Sequence, residues 1–324
     1  MERQHTGGGD SQVYGQRGRA QKVMWKVEAP SYGGWETRPE PGACEVTVNS
    51  QELRRAADVL RAAEALIIGA GAGMGVDSGL PDFRGTEGFW RAYPAYAKLG
   101  LDFASMANPQ WFRKDPEFAW GFYGHRLGLY RATTPHPGFE LLRTWASRMR
   151  HGAFVFTSNV DGQFQKAGFP EERVLEVHGS IHHVQCLGSC QGISSAAPYS
   201  VEVDPESFRA RPPLPTCPRC GSLVRPNILM FGDWGWDSSR TETQEERLSA
   251  WLETVKPGSL AVVECGAGTA IPSVRHFCER VTAGGKGTLI RINVREPEVP
   301  TGGVSLPLRA LEALRGIEAE MARG

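Results

Sequence analysis

The sequence predicts an α/β fold: a parallel sheet covered by helices on both faces, with a smaller cysteine-bearing module. Short apolar runs that break at glycine or polar residues alternate with segments of helical period, a glycine-rich loop follows the first run, and four cysteines form two close pairs. The 324 residues allow one large domain plus a smaller one. With 36 basic and 36 acidic residues the formal charge is zero, so no general attraction to nucleic acid or an acidic membrane is written into the balance. No apolar run approaches the roughly 20 residues of a membrane span, and no export leader opens the chain, so the expected setting is cytoplasmic.

Residues 1–43 carry Gly7, Gly8, Gly9, Gly15 and Gly18 without periodicity and read as a disordered extension. Leu53, Ala56, Ala57, Leu60 and Ala63 then recur at helical spacing, and Ala65-Leu66-Ile67-Ile68 is a buried-strand run broken at Gly69. Matching runs lie at Ala153–Phe156, Val174–Val177, Leu260–Val263 and Leu289–Ile292. Parallel sheets bind ligands beyond the carboxyl ends of their strands, and the unusual residues of this chain lie there.

The first such end is Gly69-Ala70-Gly71-Ala72-Gly73-Met74-Gly75, where glycine lets the backbone approach a phosphate. Its spacing departs from the strict dinucleotide fingerprint, so a turn used only for packing is the competing reading. Ser78 to Gly85 follows, with Asp82, Phe83 and Arg84 on a segment kept irregular by glycine and proline. After the second strand comes Thr157-Ser158-Asn159-Val160-Asp161-Gly162, which alone reads as a helix cap. Glu176-Val177-His178-Gly179 closes the third, and an imidazole can serve as a neutral base at working pH.

Cys186-x-x-x-Cys190 and Cys217-x-x-Cys220 have the spacing of a four-sulfur tetrahedral zinc site, structural because no position is left open for water. Two disulfides are the alternative, disfavoured by the strain of such short rings. Cys44, Cys265 and Cys278 read as ordinary thiols, and His182 and His183 as surface or packing residues.

Taken in order, Gly71-Ala72-Gly73 with Ser78 to Arg84, Thr157 to Asp161, His178-Gly179, the cysteine pairs and Val224 to Asp233 resemble the sirtuins, NAD-dependent protein deacylases. The resemblance implies a Rossmann-like NAD-binding domain over 44–85, 136–180 and 226–324, a helical insertion over 86–135 and a zinc-binding module over 181–225. It implies NAD contacts from Gly71, Ala72, Gly73, Asp82, Phe83, Arg84, Ser158, Asn159, Asp161, Gly266, Gly268 and Asn293, with His178 as general base beside Asn159 and Asp161. Ile228, Leu229, Phe231 and Gly232 would line the acyl-lysine tunnel and pair with the peptide. Tyr123 and Arg126 match a Tyr-x-x-Arg pattern of members that favour acidic acyl groups, the competing reading being a core tyrosine and a solvated arginine. Zinc and NAD are the implied cofactors, and the partner is an acylated protein or peptide, with neither nucleic acid nor membrane.

Three departures stand out: Ser158 replaces a glutamine, Phe164 a histidine, and Gly266-Ala267-Gly268 a Gly-Thr-Ser, followed by Pro272 one residue early. Ser158 and Phe164 fall where the family handles nicotinamide, so base exchange or cofactor affinity is expected to differ. The implied products are free lysine, nicotinamide and O-acyl-ADP-ribose. ADP-ribosyl transfer or NAD hydrolysis, and a non-catalytic NAD sensor, remain as alternatives.

Overall fold

The computed structural model describes residues 50–81, 89, 93–94, 100–188, 190 and 192–323. Asp82, Phe83 and Arg84, the extension 1–43 and Cys44 lie outside the described residues.

Helix α1 (Ser50–Ala62) buries Ala56, Ala57 and Leu60, the stripe its periodicity predicts. It leads into β1 (Ala65–Ala70), buried at every position as a central parallel strand must be. A 3₁₀ segment, Ala72–Ser78, follows the glycine loop's first turn. Two four-residue helices, α2 (Phe103–Met106) and α3 (Trp111–Lys114), precede α4 (Pro116–Ala132). Asp115 caps α4 by accepting from the Phe118 N–H, and Pro116 sits in its first turn, where no N–H is missed. Helix α5 (Pro137–Ser147) begins the same way, with the His136 ring accepting from Gly138 N–H.

The second half of the sheet follows. Strand β2 (Ala153–Thr157) leads through α6 (Gln163–Lys166) to β3 (Val174–Glu176). Strands β4 (Gly179–Cys186), β5 (Ile193–Ser195) and β6 (Val224–Ile228) form a separate antiparallel sheet in the order β5-β4-β6. The chain returns through α7 (Ser239–Glu253), β7 (Leu260–Cys265), α8 (Ser273–Thr282), β8 (Gly287–Ile292), β9 (Val304–Leu306) and α9 (Ala310–Met321).

The main sheet is wholly parallel, in the order β3-β2-β1-β7-β8-β9. Strand order reverses between β1 and β7, and a crevice opens at such a point beyond the carboxyl ends. One apolar layer gathers α1, α5 and α9 against β1, β2, β7, β8 and β9; the opposite face packs α7 and α8 through Trp251, Val274 and Phe277. A further core joins α4 to the antiparallel sheet through Phe122, Tyr123, Ile181, Val184 and Ile228. Among the described residues, no helix is long and apolar enough to cross a membrane.

Candidate active site

Four loops converge at the switch point. Gly71 N–H donates to Cys265 C=O at 3.0 Å and Gly73 N–H to Gly266 C=O at 3.1 Å, so the loops after β1 and β7 are joined backbone to backbone. Glycine is required for that approach. A Cβ on Gly73 would stand 2.7 Å from Gly266 Cα, and one on Gly266, which also has φ +61°, 2.4 Å from Gly73 Cα. The Gly71 and Gly73 N–H groups are spent on the neighbouring loop, so close approach of the two loops is one reason for these glycines.

The turn after β2 is tied to the same place. Thr157 Oγ1 donates to Ala70 C=O at 2.9 Å and accepts from Asn159 N–H at 3.0 Å, while Asn159 Nδ2 donates to Gly71 C=O at 2.9 Å. Asp161 Oδ1 accepts from Gln163 N–H at 3.0 Å, and burial pushes its carboxyl up to about 6. His182, read from sequence as a surface or packing residue, packs on this turn: its Nε2 pairs with Asp161 C=O at 2.9 Å, and a Cβ on Gly162 would meet its ring at 2.5 Å.

His178 follows β3 and precedes β4. Burial lowers its pKa to about 4, partly offset by a hydrogen bond to the Ser158 backbone. With one ring nitrogen donating to that carbonyl, the other is left as an acceptor, the state a general base needs. The backbone around it is held from two sides. Leu229 N–H donates to His178 C=O at 3.0 Å, and α7 grips Glu176: Gln244 Oε1 accepts from its N–H at 3.1 Å, Thr241 Oγ1 donates to its C=O at 3.2 Å, and Arg240 reaches its carboxylate at 2.6 Å. Even so paired, that carboxyl is pushed up to about 7 by burial.

The Sγ atoms of Cys186, Cys190, Cys217 and Cys220 all lie within 4.8 Å of one another. Tetrahedral zinc with bonds of about 2.3 Å needs sulfurs about 3.8 Å apart, so the cluster fits zinc. Backbone N–H groups of Arg219 and Cys220 lower the Cys217 thiol, which favours the thiolate a metal requires.

The model of the Sir2 family matches residues 71–252. The chain belongs to the Sir2 family. An NAD-dependent protein deacylase of Pyrococcus furiosus is 29% identical over 272 residues, covering 84% of this chain and 98% of the relative. Sirtuin-5, a mitochondrial NAD-dependent protein deacylase of Canis lupus familiaris, is 30% identical over 223 residues, covering 64% of this chain and 67% of its own. Among solved structures, a Sir2 homologue–NAD complex is 26% identical with a TM-score of 0.59, covering 85% of this chain and 94% of that one. A Sir2 homologue–ADP-ribose complex reaches a TM-score of 0.61 at 25% identity, covering 83% of this chain and 96% of its own.

Within this Sir2-family chain, Gly71, Asn159, His178 and Gly266 stand at the carboxyl ends of neighbouring strands. A carboxamide and a neutral imidazole are the chemistry that ribose hydroxyls and an amide-bearing leaving group need, so the donor set fits NAD. Asn293 also serves the loop after β7. It is buried, its Nδ2 donates to Ala267 C=O at 2.7 Å and its Oδ1 accepts from Arg295 and Glu296 N–H groups, so it organises the Gly266–Gly268 loop from within. Phe164 packs in the core against Phe139 and Phe169, with centroids at 4.9 and 5.3 Å.

Of the segment expected to meet the acyl-lysine, Ile228 and Met230 are buried in the aromatic cluster with Tyr123, Leu229 and Phe231 are half-buried, and Gly232 is exposed. Strand β6 is an edge strand, as peptide addition requires. Arg126 is 5% exposed, so it is not a solvated surface residue. Its Nε and Nη2 donate to the Tyr130 hydroxyl at 3.0 and 2.8 Å, and its guanidinium lies 5.1 Å from the Phe122 centroid. Tyr130 was missed from sequence although it stands one helical turn from Arg126, the spacing that would have revealed it. Among the described residues, the buried Tyr123 hydroxyl has no hydrogen-bond partner.

Proposed function

We propose that this chain removes acyl groups from protein lysines at the expense of NAD, giving nicotinamide and O-acyl-ADP-ribose. The observation that carries the reading is His178: a half-buried imidazole, neutral with a pKa near 4, tied by one nitrogen to the Ser158 backbone at the carboxyl end of the parallel sheet. Bound NAD supplies a ribose carbon that gives up nicotinamide and a hydroxyl that takes the acyl group. Gly71, Ala72, Gly73, Gly266 and Gly268 would form the wall against the phosphates, with Ser158, Asn159, Asp161 and Asn293 around the riboses and carboxamide, and Asp82, Phe83 and Arg84 contributing from the cofactor loop. His178 accepts the ribose hydroxyl proton on its second ring nitrogen. Asn159, anchored on Gly71 C=O, keeps the turn after β2 in register with the glycine loop.

Ile228, Leu229, Phe231 and Gly232 would hold the acyl-lysine and its peptide. Tyr123 and Arg126 would favour an acidic acyl group, since an aromatic cluster that already contains a guanidinium suits a carboxylate better than a methyl. The reaction is formally a transfer, in a cytoplasmic setting that keeps the four cysteines reduced, and zinc at Cys186, Cys190, Cys217 and Cys220 holds the β4–β6 module. Incubation with NAD and acetyl- or succinyl-lysine peptides, followed by mass analysis, tests this. Deacylated peptide with O-acyl-ADP-ribose is expected; free ADP-ribose or ADP-ribosylated protein with the peptide intact would replace the reading by one of its rivals.

A further inference from the structure

We propose that Trp234 reads the substrate residue beside the acyl-lysine and selects a cationic side chain there, an inference that rests on the deacylase reading above. Trp234 is 100% exposed, the extreme among the large apolar residues described. A flexible loop would fold such an indole onto the body, because leaving apolar area in water is unfavourable. This loop is held. The Asp233 carboxylate accepts from both terminal nitrogens of Arg225 at 2.6 and 3.0 Å, a pair only 1% and 2% exposed, and its Oδ1 also accepts from Gly235 N–H at 3.2 Å. Gly235 C=O accepts from Gln185 Nε2 at 2.7 Å, and Asp237 C=O from Asn227 Nδ2 at 2.9 Å. The neighbours on both sides of the indole are therefore anchored to β4 and β6, and Trp234 is displayed on a rigid mount.

That mount continues the substrate segment. Leu229 N–H is bonded to His178 C=O and Phe231 N–H to Ala107 C=O at 2.9 Å, so a strap of five residues runs from the base to the indole. The local charge decides what the indole would meet. Asp233 is neutralised by Arg225, whereas the single cation of Arg240 faces two carboxylates, Glu171 and Glu176, and among the described residues Asp237 and Glu242 form no ion pair, so the charges beside the loop sum to a negative balance. An indole face beside carboxylates attracts Lys or Arg through the ring quadrupole and the surrounding field.

The test compares the parent with Trp234→Ala and Trp234→Lys on three substrates: an acyl-lysine peptide with Arg next to the modified residue, the same peptide with Glu there, and the isolated acyl-lysine amide. Because Trp234 is fully exposed, neither variant disturbs the core. In Trp234→Ala the ratio of kcat/KM for the Arg peptide to that for the isolated amide is expected to fall about fivefold, through KM, as loss of a cation–π contact predicts. Trp234→Lys is expected to reverse the order of the Arg and Glu peptides. An unmoved ratio overturns the proposal, as does an equal loss on all three substrates. So does a change in sedimentation coefficient without a kinetic effect, which would assign the indole to a contact between copies. Fluorescence anisotropy of the labelled Arg peptide separates this from the deacylase reading. A parent that binds the Arg peptide several-fold better than Trp234→Ala but turns over none of the three substrates retains the recognition and loses the chemistry.

Discussion

Tyr123→Phe separates stability from activity at the acyl site proposed above. The phenol sits 1% exposed between Phe112 and Phe122, its hydroxyl has no hydrogen-bond partner among the described residues, and burial pushes its pKa upward. An unsatisfied buried hydroxyl costs about 1–3 kcal/mol, so deleting it leaves stability unchanged or raises it by about 1 kcal/mol. With a succinyl-lysine bound, the same hydroxyl would donate to the acyl carboxylate, a charged hydrogen bond worth about 1.5–3 kcal/mol. Its loss corresponds to about a tenfold or larger fall in kcat/KM for a succinyl peptide, with little change for an acetyl peptide that has nothing to pair. Urea denaturation measures the first effect and paired peptide kinetics the second. Destabilisation by more than about 1 kcal/mol would mean that the hydroxyl has a partner in the folded protein, and an unchanged succinyl-to-acetyl ratio would remove Tyr123 from the acyl site. Arg126→Met is expected to shift the ratio in the same direction by a similar factor.

His178→Ala should retain NAD binding, followed by calorimetry, and lose about 10²- to 10⁴-fold in turnover, the usual worth of a general base. Since its folded pKa is near 4 and an unfolded histidine titrates near 6.5, His178 costs stability as pH falls from about 6.5 through about 4. The deficit of His178→Ala in urea melts should therefore narrow at pH 5 relative to pH 7.5, and its own protonation should extinguish parental activity only as pH falls toward 4. Gly73→Ala pushes a Cβ to 2.7 Å from Gly266 Cα and should cost about 1–3 kcal/mol, whereas Gly128→Ala, with open space around its Cβ on α4, should gain about 0.5–1 kcal/mol. Zinc is expected at one per chain by elemental analysis of protein purified without added metal; a metal-free, fully active preparation would refute the assignment, and chelation should melt the β4–β6 module.

Sequence alone determined the features that depend on near neighbours along the chain. The strand runs at Ala65–Ile68, Ala153–Phe156, Leu260–Val263 and Leu289–Ile292 are all found in the sheet, because continuous apolar residues that end at glycine or polar positions satisfy a strand buried on both faces. The cysteine spacing placed four sulfurs together, since each close pair spans one edge of a tetrahedron whatever the intervening loop does. Which glycines matter, and why, was decided only in three dimensions: Gly73 and Gly266 are 193 positions apart in the chain and touch because β1 and β7 are neighbours in the sheet. The same holds for Phe164, whose place in the core beside Phe139 depends on where α5 and α6 meet. Arg240 on Glu176 and Arg225 on Asp233 could not be read either, because a charge in a sequence has no partner until the fold removes water from around it and leaves an ion pair as the way to keep it buried.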